Sequence, residues 1–231
     1  MCLKKTQSYI KTFDSGISEV LTERISLDSL SDLVGKELFE RIKKKIEEKK
    51  HENPIIPGHL SVRTQEAFFG IDVDASGNVL IDMLKFAHRH SESKFLLGDE
   101  SEGTKRMFDL IGILTEDRED IVFVVDELEN SLHPCLTKRF LDLFDENFQG
   151  KKMQLIFTSH ENTIMNLDTF RRDELWFTAK DQNGNGTLYS FDSFSERFDK
   201  RIAKAYLEGR YGAVPVFSSP DYPSEMCEES Q

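Results

Sequence analysis

Residues 121–134, IVFVVDELENSLHP, are the stretch on which the fold turns. Ile121–Val125 is an unbroken, β-branched apolar run, the composition expected of a strand buried on both faces of a parallel sheet. It stops abruptly at two carboxylates, Asp126 and Glu127. Ligands of α/β sheets bind at the carboxyl ends of such strands. An aspartate there is placed to hold Mg²⁺, and the next glutamate to orient and deprotonate a water. Many strands also end in a plain acidic turn, so the pair alone leaves both readings open. Pro134 suits the first turn of the next helix, whose inner side would carry Leu136, Phe140, Leu143 and Phe144.

Working outward, Gln154–Thr158 (QLIFT) is a second strand of the same kind, followed by Ser159 and His160. A histidine there can sense a terminal phosphate; it can equally precede a helix opened by Ser159 at Glu161. On the amino-terminal side lies GDESEGTKR, residues 98–106. It imitates a P-loop, GxxxxGK(S/T), but Thr104 precedes Lys105, and Asp99, Glu100 and Glu102 crowd the loop. A better use of Ser101, Gly103 and Thr104 is to grip one terminal phosphate at the start of the helix Thr104–Leu114. The competing reading is a serine-capped helix.

Further out, Glu174–Ala179 and Leu188–Phe191 form a hairpin around Asn183-Gly-Asn-Gly186, and a last helix runs from about Ser195 to Leu207. Upstream, residues 1–29 show no clean periodicity, and Leu30 to about Lys50 reads as one helix. SVRTQEAF and VLIDMLKFAH read as strands separated by DASGN, and His90–Ser93 as a turn into Lys94–Leu97. His88 and His90 share a strand face, which points to a surface pair in the absence of a third ligand. Strands alternating with helices make residues 95–191 an α/β sheet.

Composition narrows the classes. The chain has 231 residues, 38% hydrophobic and 31% charged, with net charge −12. That balance argues against a broadly basic nucleic-acid surface. The amino terminus lacks the apolar core of a secretory signal, and no apolar run approaches a membrane span. Cys2, Cys135 and Cys227 make no metal or disulfide pattern; a cytoplasmic location is the simplest expectation. Residues 218–231 read as a disordered acidic tail.

Taken in order, these pieces resemble the carboxyl half of an ABC-type AAA ATPase head, of the stand-alone ATP-binding proteins related to the OLD and SMC groups, often phage-defence associated. DESEGTKRMFDLIG resembles the signature motif, IVFVVDELENSLHP the Walker B segment and D-loop, and MQLIFTSHE the switch-histidine strand. RRDELWFTAKDQNGNGTLYSF and KAYLEGRYGAVP resemble the closing segments. The resemblance covers about residues 94–217 and implies a partial P-loop NTPase sheet with flanking helices, residues 1–93 being a helical and β insertion. It implies ATP and Mg²⁺ as cofactors, Asp126 as the metal ligand, Glu127 as the general base and His160 as the switch histidine. Ser101, Gly103 and Thr104 would contact the γ-phosphate of ATP held by a second head, the same chain or another. Asn130, Ser131 and His133 would lie in the D-loop at that interface.

No GxxxxGK(S/T) occurs in the 231 residues. The resemblance therefore leads us to expect a truncated or split head completed by a P-loop half, inactive in isolation. A non-catalytic regulatory or interaction module of an ATPase complex is the alternative. A metal-dependent nuclease using Asp126, Glu127, Glu129, His133 and His160 is a third reading, weakened because alternating acids on a turn diverge.

Overall fold

A computed structural model describes residues 3–13, 15–51, 58–74, 76–181, 183–194 and 202–214. The chain is mixed α/β and divides into two compact units, Met1–Thr158 and Ser159–Gln231. The tail expected at 218–231 lies outside the described residues.

The first unit opens with α1 (Leu3–Ile10) and β1 (Ile17–Ile25), neither of which announces itself in the sequence. β1 pairs antiparallel with β4 (Val79–His88), and a bulge between Ile17 and Glu19 spoils its alternation. The helix expected over Leu30–Lys50 is two helices, α2 (Leu27–Val34) and α3 (Lys36–His51). Gly35 separates them at φ 75°, ψ 158°, a backbone conformation that glycine alone adopts readily. Ser26 caps α2, its hydroxyl accepting from the Ser29 amide at 3.1 Å.

SVRTQEAF is a hairpin and not one strand. β2 (Gly58–Arg63) ends where Thr64 Oγ1 accepts the Glu66 and Ala67 amides, and β3 (Phe68–Val73) returns antiparallel. The sheet runs β1-β4-β3-β2, with β5 (Lys94–Phe95) also on β4. Asp74 closes the β3–β4 turn by accepting the Ser76 and Asn78 amides at 2.8 Å each. Hydrogen bonds from the Asn78 side chain and backbone hold its carboxyl below the ordinary aspartate range.

Both sheet faces are covered. Phe69, Ile71, Val73, Ile81 and Met83 pack with Leu30, Ile42 and Ile46 of α2 and α3. On the opposite face Phe68 and Phe86 meet Phe108 of α4 (Glu102–Leu114), each at 5.5 Å between ring centroids and edge-on.

β6 (Ile121–Val125) and β7 (Met153–Phe157) form a separate parallel pair joined by α5 (Pro134–Phe148). Pro134 stands in the first turn of α5 as expected. The expected burial on both faces does not hold. Ile121, Phe123 and Val125 face inward, but Val122 is 54% exposed, Val124 76% and Ile156 49%. The reason is the sheet's extent: among the described residues it has two strands. Parallel sheets are ordinarily covered on both faces; here one apolar face is open.

In the second unit, β8 (Trp176–Lys180) and β9 (Gly186–Ser190) make the expected hairpin with shifted ends. Asp181 accepts the Asn183 and Asn185 amides there, repeating the Asp74 turn. Phe177, Phe191, Ile202, Ala205 and Tyr211 form its core with α6 (Ile202–Leu207). Residues 195–201 of the expected last helix lie outside the described residues. Tyr189 donates to the Tyr211 carbonyl at 2.6 Å, and a Cβ at Gly212 would meet that hydroxyl at 2.9 Å. The closing LEGRYG segment thus packs the hairpin.

Candidate active site

The parallel register of β6 and β7 runs 121↔153 to 125↔157, and its continuation sets residue 126 beside 158. The backbone bears this out: the Thr158 amide donates to the Val125 carbonyl at 3.1 Å, and the Leu128 amide to the Thr158 carbonyl at 3.0 Å. Thr158 Oγ1 donates to Asp126 Oδ1 and accepts the Glu127 amide at 2.8 Å. One hydroxyl therefore holds both acidic residues at the strand ends. Asp126 and Thr158 are exposed and follow Val122, Val124 and Ile156 on the open face of the pair.

Glu127 adopts φ +47°. A left-handed backbone costs a non-glycine residue about 1–2 kcal/mol, so the surroundings must hold it there. Arg106, on α4, does so from below the turn. Its Nη2 donates to the Asp126 carbonyl at 2.8 Å and to the Glu127 carbonyl at 2.7 Å. The Glu127 carbonyl also accepts the Asn130 amide at 2.9 Å. Neither Thr158 nor Arg106 was selected from the sequence. Thr158 was readable in principle as the residue in register with Asp126, Arg106 only as a basic residue one turn into α4.

Ser101 is the N-cap of α4. Its Oγ accepts the Thr104 amide at 3.1 Å and lies 2.9 Å from Thr104 Oγ1. Thr104 is buried, whereas Ser101 and Glu102 are exposed. Gly103 approaches the turn after β6, and a Cβ there would stand 2.7 Å from the Ser131 carbonyl oxygen. Ser131 itself has φ +61°. Gly103→Ala should therefore cost about 1–3 kcal/mol, the usual penalty of overpacking against a fixed neighbour, measured by urea unfolding. A substitution without effect on stability would mean that the Ser131 turn yields freely.

The loop ahead of Ser101 is also anchored. Gly98 donates its amide to the Glu66 carbonyl at 2.8 Å, and a Cβ at Gly98 would meet Glu66 Cα at 2.9 Å. Glu100 is buried, its Oε1 2.8 Å from His88 Nε2. His88 is thus engaged with an interior carboxylate, while His90 lies exposed in the turn after β4. The expected surface pair does not form. Farther along α4, Asp109 pairs with Arg63 at 3.0 Å. Burial raises its carboxyl above the ordinary range, partly offset by the charges of Arg63 and Arg106.

His133 caps α5, its Nδ1 accepting the Cys135 amide at 3.2 Å. His160 is exposed and belongs to the second unit. The helix expected at Glu161 is a single 3₁₀ turn, Asn162–Ile164, capped by the Glu161 carboxylate. Residues Asp126, Glu127 and Thr158 are thus drawn together, with Arg106, Gly103 and Ser131 packed around their turn.

The profile of the family described as "AAA domain, putative AbiEii toxin, Type IV TA system" matches residues 9–166, more than half of the chain. The chain belongs to this AAA-domain family. No curated protein matches it in sequence. The match takes in the antiparallel sheet, α4, the parallel pair and α5 together, so residues 9–93 are part of the AAA domain.

AAA-type domains generally bind ATP with Mg²⁺. The donor set at the strand ends offers that ion the Asp126 carboxylate, hydrogen-bonded to Thr158 at the end of the parallel pair. Mg²⁺ ordinarily takes only one or two carboxylates, completing its octahedron with water and phosphate oxygens. Asp126 would hold it, with Thr158 fixing the carboxylate. No GxxxxGK(S/T) sequence occurs in the 231 residues. No described helix is long and apolar enough to cross a membrane.

Proposed function

We propose that this AAA domain supplies the carboxylate side of an ABC-type ATPase site, and that the P-loop comes from residues outside these 231. The observation that carries the reading is the Asp126–Glu127 pair at the carboxyl end of β6, held by the hydroxyl of Thr158 at the end of the parallel strand β7 and by one guanidinium. Mg²⁺, when bound at Asp126, supplies positive charge to the phosphates. Glu127 accepts the proton of the attacking water, and its carboxylate is aimed by the left-handed turn. The switch-histidine role that the resemblance gives His160 belongs to this reading as well.

The open face supports the need for a complement. Val122, Val124 and Ile156 lie on the same side as Asp126, so what covers them also borders the site. A P-loop segment adding a strand and a helix would cover both the face and an edge of the β6–β7 pair, whose outer edges are unpaired among the described residues and otherwise invite aggregation. Across the nucleotide, a second ATPase head would receive the amino-terminal end of α4. Ser101 and the first-turn backbone of Glu102 and Gly103 face that phosphate; Thr104, being buried, supports them from within. Asn130, Ser131 and His133 border the same surface.

The chain alone should show negligible Mg²⁺-dependent ATP turnover, and turnover should appear when a P-loop-bearing AAA segment is fused or mixed with it. Robust turnover by the chain alone would overturn the split-site reading. Association of the two without turnover would favour the non-catalytic interaction module.

A further inference from the structure

We propose that Arg106 is the positioning residue of the Asp126–Glu127 turn, setting the direction of the Glu127 carboxylate from the far side of the backbone. Its link to turnover rests on Glu127 being the base, as proposed above. In an extended strand successive carbonyls point to opposite sides. Here the carbonyls of two consecutive residues accept from one nitrogen, Arg106 Nη2, at 2.8 and 2.7 Å. That convergence requires the chain to turn between them, and Glu127 at φ +47° is where it turns. A guanidinium nitrogen carries two hydrogens, enough for both carbonyls, and its charge strengthens each bond.

The anchor is itself fixed. Arg106 lies on α4, which Phe108 pins to the antiparallel sheet through Phe68 and Phe86, and which Asp109 ties to Arg63. Arg106 Nε is buried without a hydrogen-bond partner, so the side chain gives up one donor to place Nη2 under the turn. Thr158 fixes the Glu127 amide from the β7 side. The turn is thereby clamped between its amide and its carbonyl, and removing the lower clamp frees the left-handed residue to relax.

The test uses the full chain, with Arg106→Met and Arg106→Lys. Amide NMR spectra and hydrogen exchange are read for Glu127–Asn130 and, as an internal control, for β3 and β4. Arg106→Met should shift the turn amides and speed their exchange by about 10- to 100-fold, the loss expected for a charge-assisted bond, while the control amides hold. Arg106→Lys should fall between, since an ammonium on a flexible stem can donate to the same carbonyls but is not held by the planar guanidinium. In a site completed with a P-loop segment, Arg106→Met should lower kcat about tenfold with KM for ATP unchanged. Turn amides unchanged in a folded Arg106→Met protein would overturn the proposal, as would equal defects in the two variants. If Arg106→Met does not fold, Arg106→Lys alone decides: a shift confined to the turn supports it and none overturns it. Absence of turnover in the completed wild-type site would remove the ATPase reading while leaving the amide result to judge Arg106.

Discussion

Glu127→Gln, in a site completed by a P-loop segment, should retain ATP and lose turnover by about 10²–10⁴-fold, the usual worth of a positioned general base. The amide side chain matches the carboxylate in size, and the left-handed backbone is set by contacts that the substitution leaves alone. Those are the Thr158 hydroxyl on the Glu127 amide and Arg106 on its carbonyl. Binding contacts should therefore survive, and only the proton acceptor disappears. The measurement is single-turnover hydrolysis alongside nucleotide retention by filtration. Turnover within a few-fold of wild type would remove Glu127 as the base and leave Asp126 with the metal role alone. Loss of both retention and turnover would show instead that Glu127 acts in binding.

The residues that carried the sequence reading did so through local signals. Five apolar residues before Asp126, Pro134 at the start of α5, Ser101 ahead of α4 and the Asn-Gly turn after β8 each speak for themselves within a few positions. The exposure of Val122 and Val124 was not legible, because a continuous apolar run is written the same way whether one face or both is covered. β1 was missed because it owes its place to β4, some 60 residues on, and carries a bulge. Gly35 and Thr64 broke apparent single elements through backbone geometry that hydrophobic periodicity does not encode. Arg106 and Thr158 stayed hidden for a related reason. Each meets the acidic turn across 20 to 32 residues of chain, and one of them meets it only through main-chain atoms. The His88–Glu100 contact likewise joins a strand to a loop that no spacing rule connects.

Phe108→Ala should be among the most destabilising truncations in the first unit, costing about 3–5 kcal/mol. Phe108 is 2% exposed and stands where α4 meets the antiparallel sheet, with Phe68 and Phe86 both edge-on to it. Removing the ring deletes two aromatic contacts at once and opens a cavity between a helix and a sheet. Neither can close it cheaply, since Gly98 is seated on the Glu66 backbone and Asp109 is paired with Arg63. The measurement is the urea midpoint against Leu33→Ala, an exposed apolar site where the change should stay within about 0.5 kcal/mol. The same truncation bears on the site. α4 carries Ser101 at its start and Arg106 in its second turn, so a loosened helix should also release the Asp126–Glu127 turn. Exchange at Glu127–Asn130 should then rise even in the fraction that remains folded. A Phe108→Ala protein that loses stability but keeps those amides protected would show that the packing of α4 on the sheet is not needed to hold the turn.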